Sequence, residues 1–154
     1  MHITFDQVKS AVASWAADIK RSDKKYDYII GVSRGGLVPA TMLSYATGIP
    51  MRTIEIKTRD KAGNQVRPTT NYSDDVSDIM YQTENNILFV EDIIDSGLTL
   101  SVIDSIMKYR NTEYDYATVV YNSVLKSKSP TFYYTMIDRD YYKDWIIFPW
   151  DDWK

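Results

Sequence analysis

The residues with the clearest chemical potential lie in segment 91–99, which reads Glu-Asp-Ile-Ile-Asp-Ser-Gly-Leu-Thr and follows an apolar run. Glu91 and Asp92 suit vicinal hydroxyls or a hydrated divalent cation. Ser96 and Thr99 add hydroxyl donors where a helix is predicted to begin, and the amides of a helix start bind anions. The alternative interpretation is that these hydroxyls only cap the helix while the acids face solvent.

A second candidate is the turn at 31–36, Gly-Val-Ser-Arg-Gly-Gly, where a pair of glycines stands beside an arginine after another apolar run. Its spacing approaches the phosphate-binding pattern Gly-x-x-x-x-Gly-Lys-Ser/Thr, but Leu37 and Val38 occupy the last two positions, which excludes that motif. Glycine lets the backbone approach an anion, and Arg34 can pair with phosphate oxygens as a fork. A tight turn with one surface arginine is the competing interpretation.

The elements that must position these residues alternate between strands and helices. Short apolar runs predict strands at about 28–32, 51–56, 86–90, 117–121 and 131–136. A Thr4–Gln7 capping box and an apolar stripe predict a first helix, and further helices are expected at about 37–47 and 98–109. This order predicts an α/β fold with a mainly parallel central sheet flanked by helices. Both candidate turns then lie at carboxyl ends of strands, where such sheets bind ligands.

Composition narrows the chemistry further. The chain has 154 residues, a formal charge of −3, no cysteine and one histidine, His2. Disulfides, thiol nucleophiles and Cys-ligated metal sites are therefore excluded, and His-dependent triads are disfavoured. The acidic balance argues against a general nucleic-acid binder. There is no signal peptide pattern and no apolar run long enough to span a membrane, so we expect a cytoplasmic protein with neither membrane nor nucleic acid as partner.

Three motifs, in order along the chain, resemble the type I phosphoribosyltransferase family. Segment 89–100 is similar to its signature for phosphoribosyl pyrophosphate (PRPP): apolar strand, two acids, two aliphatics, acid, hydroxyl, glycine and threonine. Segment 32–39, Val-Ser-Arg-Gly-Gly-Leu-Val-Pro, resembles the pyrophosphate loop of the xanthine-guanine branch. Segment 145–151, Trp-Ile-Ile-Phe-Pro-Trp-Asp, resembles the hood that covers the base in that branch.

The resemblance implies a role for each matching residue. Arg34 and Gly35 would hold pyrophosphate in a loop that often contains a non-proline cis peptide bond, and Glu91 and Asp92 would face the ribose hydroxyls, with Asp92 also near Mg²⁺. Asp95 would be the proton acceptor at the purine N7. The PRPP-binding stretch would comprise Glu91, Asp92, Ile93, Ile94, Asp95, Ser96, Gly97, Leu98 and Thr99. Trp145 would stack on the purine, backbone groups at Ile146 and Ile147 would read its edge, and Lys126 would contact its exocyclic oxygen.

The resemblance also implies an architecture and a reaction. One phosphoribosyltransferase domain would span 1–154, with a flexible loop at about 57–85 and a small C-terminal hood at about 126–154. The expected enzyme is a glycosyltransferase of purine salvage that uses Mg²⁺ and joins xanthine, guanine or hypoxanthine to PRPP. A homodimer or homotetramer is expected. As default interpretations, Lys126 would be a solvated loop lysine, and Trp145 would only pack the C-terminal segment onto the sheet.

One departure and two alternatives remain at this point. Where the family's flexible loop commonly carries a Ser-Tyr pair, this chain has Lys-Thr-Arg-Asp at 57–60, and its Tyr72-Ser73 pair is reversed and further on. One alternative is a regulator that binds PRPP without catalysis, against which stand the absence of an added DNA-binding segment and of a basic surplus. The other is a phosphoribosyltransferase that acts on a different base.

Overall fold

The computed structural model describes residues 1–60, 62–82, 84–108, 113–125 and 129–151, and within these ranges a six-stranded sheet forms the centre of the fold. Its strands are β1 (Tyr28–Ser33), β2 (Met51–Arg59), β3 (Gln65–Asn71), β4 (Asn86–Ile94), β5 (Glu113–Asn122) and β6 (Phe132–Ile137). The order across the sheet is β3-β2-β1-β4-β5-β6, and every neighbouring pair is parallel except β2 with β3. The predicted α/β class with a mainly parallel sheet is thus the observed one.

Four helices flank this sheet: α1 (Phe5–Arg21), α2 (Leu37–Thr47), α3 (Asp74–Tyr81) and α4 (Leu98–Met107). The predicted capping box begins α1, since the Thr4 side chain accepts from the Gln7 amide while the Gln7 side chain accepts from the Thr4 amide. None of these described helices combines the length and the apolar composition that crossing a bilayer requires.

Alternating strand residues build two apolar cores, one on each face of the sheet. Ile29 and Leu88 pack in the core with α1 and α2, whereas their neighbours Ile30 and Ile87 pack in the core with α3 and α4. Because both faces are covered there, β1 and the first part of β4 read as continuous apolar runs without polar alternation. The two strands β1 and β4 lie side by side at the middle of the sheet, with Gly31 opposite Val90.

The observed elements differ from the predicted ones at several boundaries. β4 continues to Ile94, so that Glu91 and Asp92 stand on the end of a strand, and β5 begins at Glu113. α4 ends at Met107, and the predicted end at Tyr109 lies outside the described residues.

Segment 57–85 contains elements that the sequence analysis did not predict, namely the end of β2, all of β3 and α3. Every residue of β3 is exposed, which explains why it has no apolar pattern to detect. The eight-residue α3 buries only Val76, Ile79 and Met80, and so short a stripe is a weak helix signal.

Candidate active site

A cavity of about 180 Å³ lies at the carboxyl ends of the central strands. Its walls come from the end of β2, the end of β4, the turn into α4 and the segment 139–151. The predicted site residues that line it are Glu91, Asp92, Ile93, Ile94, Asp95, Ser96, Gly97, Thr99, Trp145 and Ile146. Three segments that are far apart in the sequence, 58–59, 91–100 and 139–151, therefore meet at one site.

The turn after β1 packs directly against Asp92. A Cβ atom built on Gly35 would lie 1.7 Å from the Asp92 Oδ2 atom, and one built on Gly36 would lie 2.3 Å from the Val90 carbonyl oxygen. Only glycine allows approaches this close. The Ser33–Arg34 peptide bond is cis, as the resemblance implies, and the Arg34 side chain is exposed. Thus the first candidate turn is in direct contact with the strand end that leads into the second.

Glu91 has an unusual electrostatic environment. Its Oε2 atom is shielded from solvent and has no hydrogen-bond partner among the described residues. The pKa of the Glu91 carboxyl is raised to about 8, mainly by burial and also by the neighbouring Asp92 charge, while a hydrogen bond with the Thr99 side chain opposes the shift. A buried acceptor without a donor is costly unless a ligand supplies one.

Asp92 is the second acid at the end of β4. The pKa of its carboxyl is raised to about 6: burial is the main cause, hydrogen bonds from the Trp150 indole and the Ile93 amide oppose the rise, and the Asp151 charge contributes to it. The Trp150 Nε1 atom donates to Asp92 Oδ2 over 3.3 Å. Both acids therefore lie in surroundings that favour neutralisation by a proton or a cation.

The turn at 95–99 exposes backbone amides at the start of α4. Gly97 is the N-cap residue, has φ of +77°, and provides no side-chain cap. The Ser96 hydroxyl accepts a long bond of 3.4 Å from the Leu98 amide. The interpretation in which Ser96 and Thr99 merely cap the helix is therefore not how this helix begins. First-turn amides without a capping side chain are suitable donors to an anion.

Asp95 is held by a partner that the sequence analysis did not identify. Arg139 donates from Nε to Asp95 Oδ1 over 2.7 Å and from Nη2 to Asp95 Oδ2 over 2.9 Å. The buried Asn122 side chain at the end of β5 donates to the Asp95 carbonyl oxygen over 2.9 Å. The predicted proton acceptor thus takes part in a two-pronged ion pair at the cavity wall.

The predicted purine-binding residues divide into three groups. Trp145 lines the cavity with 62% of its surface exposed, and buried Ile146 lies beside it. Ile147 does not line the cavity; its amide donates to the Met1 carbonyl oxygen and its carbonyl accepts from the Ile3 amide. These bonds argue against the predicted contact between Ile147 and a base. Lys126 lies outside the described residues.

Several cavity residues were not among the predicted site residues: Thr58, Arg59 and Arg139, which lie outside the three motifs, and Phe148 and Asp151, which lie in the hood motif without an assigned role. Arg139 stands in the charged run Asp138-Arg139-Asp140, which looks like an ordinary solvated turn. Asp151 lies in the hood motif, but only its proximity to Asp92 shows that it affects the site.

Magnesium would have carboxylate ligands at this site. The shielded, unpartnered Glu91 Oε2 atom and the adjacent Asp92 carboxylate fit a hard cation. Within the described ranges, no three His, Cys, Asp or Glu side chains gather around one point. This matches the usual protein contribution to a Mg²⁺ site, which is one or two carboxylates while phosphates and water complete the shell.

Comparison with known proteins supports the family resemblance. A family model described as phosphoribosyl transferase domain matches residues 4–151. A curated xanthine-guanine phosphoribosyltransferase of Cereibacter sphaeroides is 29% identical over 97% of this chain and 86% of its own length. One from Ruegeria sp. is also 29% identical, over 97% of this chain and 84% of its own.

Solved structures show the same architecture. The crystal structure of a purine phosphoribosyltransferase from Pyrococcus horikoshii superposes with a TM-score of 0.75 at 28% identity, covering 97% of this chain and 92% of the other. A Helicobacter pylori xanthine-guanine-hypoxanthine phosphoribosyltransferase shares the fold with a TM-score of 0.69 at 16% identity, covering 97% and 90%. Since a phosphoribosyl transferase domain model spans nearly all of the sequence, the chain belongs to the phosphoribosyltransferase family.

Proposed function

We propose that this protein transfers the 5-phosphoribosyl group from PRPP to a 6-oxopurine, namely xanthine, guanine or hypoxanthine, and releases pyrophosphate. The observation that carries the proposal is that the Glu91–Asp92 pair, the turn into α4 and Trp145 line one cavity, while the Gly35 turn packs against Asp92. The similarity to the xanthine-guanine phosphoribosyltransferases of Cereibacter sphaeroides and Ruegeria sp. supports this choice of base.

The anionic ends of PRPP would be held by backbone and cationic groups. The amides of Ser96, Gly97, Leu98 and Thr99, with the Ser96 and Thr99 hydroxyls, would surround the 5-phosphate. Arg34 and Gly35 would hold the pyrophosphate, where Arg34 stabilises the negative charge that develops on the leaving group. Ile93 and Ile94, which line the cavity, would provide its apolar wall.

Glu91 and Asp92 would accept hydrogen bonds from the ribose hydroxyls, and Asp92 would also contribute to holding Mg²⁺. The chemistry that bound Mg²⁺ supplies is charge stabilisation on pyrophosphate oxygens. Glu91 Oε2 has no donor among the described residues, and a ribose hydroxyl would supply one. The raised pKa values of the Glu91 and Asp92 carboxyls support the same role, because a hydrogen-bond donor or a cation would stabilise each buried carboxylate.

The transfer itself breaks the bond between C1 of the ribose and the pyrophosphate oxygen, whose electron pair leaves with pyrophosphate. C1 gains oxocarbenium character, as in other glycosyl transfers. The purine N9 forms the new bond to C1, and the proton on N7 passes to the Asp95 carboxylate. Trp145 would cover the purine face, Ile146 would contact its edge, and Lys126 is proposed for the exocyclic oxygen.

The decisive experiment is a base-dependent pyrophosphate-release assay. The protein, Mg²⁺ and PRPP are incubated separately with guanine, xanthine, hypoxanthine, adenine, uracil and orotate. We expect release with oxopurines and none after chelation of Mg²⁺. Turnover of uracil or orotate alone would replace the proposed base, and PRPP binding without any turnover would favour a regulatory protein. We further propose that the protein acts in purine salvage in the cytoplasm and that residues 1–154 form a single domain. The proposed assembly is a homodimer or homotetramer, which size-exclusion chromatography with light scattering would test.

A further inference from the structure

We infer that Arg139, acting with Asp95, donates a hydrogen bond to the exocyclic oxygen at C6 of the purine in addition to the one proposed for Lys126, an inference that rests on the proposed function. The pair presents a guanidinium and a carboxylate side by side at the wall of the cavity that Trp145 also lines. The two parallel bonds, 2.7 and 2.9 Å long, fix the planes of both groups relative to each other.

Counting the hydrogen bonds of Arg139 leaves one donor for a ligand. A guanidinium has five N–H groups. Nε and one Nη2 hydrogen bind Asp95, while Nη1 donates to the carbonyl oxygens of Tyr142, over 3.2 Å, and Asp144, over 2.7 Å. The second Nη2 hydrogen has no acceptor among the described residues. Only 19% of the Arg139 side chain is exposed, so bulk water cannot fully replace the missing acceptor.

The position of this donor is determined by the surrounding backbone and by Asn122. The Asn122 Oδ1 atom accepts from the Arg139 amide over 3.4 Å, and its Nδ2 atom donates to the Asp95 carbonyl oxygen over 2.9 Å. Lys143 Nζ donates to the Arg139 carbonyl oxygen. One buried amide thus connects both members of the pair, which keeps donor and acceptor in place before a base arrives.

The arrangement is complementary to one class of purine. A free 6-oxopurine can present an N7–H donor next to the O6 acceptor, and the pair presents a carboxylate acceptor next to a guanidinium donor. Adenine has an amino group at C6, so that two donors would face each other. A site whose polar groups are left unpaired rejects the wrong ligand strongly. Arg139 is therefore a residue that determines specificity for purines with an oxygen at C6 over purines with an amino group at C6.

The test compares removal of the guanidinium from the protein with removal of O6 from the ligand. Inosine 5′-monophosphate and purine riboside 5′-monophosphate, which lacks O6, are titrated calorimetrically into the wild type, Arg139→Gln, Lys126→Gln and Asp140→Asn. In the wild type we expect at least tenfold tighter binding of the nucleotide with O6. In Arg139→Gln this ratio should fall at least threefold. The matched control Asp140→Asn removes an exposed charge next to Arg139 in the chain and should keep the wild-type ratio.

A purely structural role for Arg139 would weaken both nucleotides equally and leave the ratio unchanged, which would overturn the inference. Loss of the ratio in Lys126→Gln with its retention in Arg139→Gln would also overturn it. If Arg139→Gln fails to fold, Arg139→Lys keeps a cation beside Asp95 but removes the fork, and the ratio should still fall at least threefold. A wild type that releases no pyrophosphate with any purine contradicts the proposed function itself, whereas an active wild type without O6 preference contradicts only the inference.

Discussion

Gly35 lies against the carboxylate of Asp92, and a Cβ atom at Gly35 would overlap the Asp92 Oδ2 atom at 1.7 Å. The contact joins the turn after β1 to the end of β4 with no space for a side chain. Asp92 can therefore lie this close to the proposed pyrophosphate turn only because residue 35 has no side chain.

Gly35→Ala should reduce the affinity for PRPP at least tenfold, because either Asp92 or the turn must move out of place. Isothermal titration with PRPP and Mg²⁺ measures this effect. Gly48→Ala is the matched control, since Gly48 has φ of +75° and nothing within 4 Å of a Cβ atom. It should cost about 1 kcal/mol of unfolding free energy through backbone strain and leave PRPP affinity unchanged. Equal PRPP affinities for Gly35→Ala and the wild type would contradict the proposed role of this contact.

Asp95→Asn should lower turnover more than a hundredfold, which lies within the range for removal of a general base. The amide keeps the shape of the carboxylate but cannot take the N7 proton. Steady-state rates with guanine measure the loss, and PRPP affinity should change less than threefold. Asp140→Asn, which alters an exposed acid of the same hood segment, provides the control. Turnover in Asp95→Asn within tenfold of the wild type would rule out this residue as the base.

Glu91→Gln should stabilise the ligand-free protein in alkaline solution and weaken its binding of PRPP. The pKa of Glu91 is raised from 4.5 to about 8, so the folded state holds more protons than the unfolded state between those pH values. The free energy of unfolding therefore falls as the pH rises through this window. Glutamine does not ionise, and we expect a Tm about 2–6 °C above the wild type at pH 8.5, with little difference at pH 4.5.

Thermal unfolding at the two pH values checks this expectation, with Glu84→Gln as the control because Glu84 is exposed. A Tm for Glu91→Gln below that of the wild type at pH 8.5 would show that the Glu91 carboxylate is stabilised by the fold. Affinity for PRPP should fall at least tenfold in Glu91→Gln if this carboxylate accepts from the ribose.

Trp145→Ala should raise the KM for the purine about tenfold or more, since stacking of a base on an aromatic ring contributes ~1–3 kcal/mol. Trp145 is 62% exposed, so its removal should shift the Tm by less than about 2 °C. The matched control is Tyr141→Ala, which removes an aromatic side chain that is 88% exposed in the same segment. A large loss of Tm without a change in KM would indicate that Trp145 only packs the hood.

The sequence was sufficient for the class of fold, and it singled out segment 91–99, most of which lines the cavity. Apolar runs at 28–32 and 86–90 predicted the central strands because full burial on both faces requires apolar residues throughout. The turns at 31–36 and 91–99 were recognisable because their glycine, carboxylate and hydroxyl groups resemble motifs of the family. Where burial was absent, as along β3, no pattern existed to detect.

Only the tertiary structure brought Arg139 to Asp95 and Asp151 near Asp92. These relationships join the strand ends to the C-terminal segment over 44 or more residues, and they depend on strand order and on where the hood packs. A charged residue in a short polar run, such as Arg139, has no local sequence pattern that indicates which residue it will pair with. The residue types that can perform the chemistry are thus set by the local sequence, whereas their pairing and the pKa values that burial shifts are set by the fold.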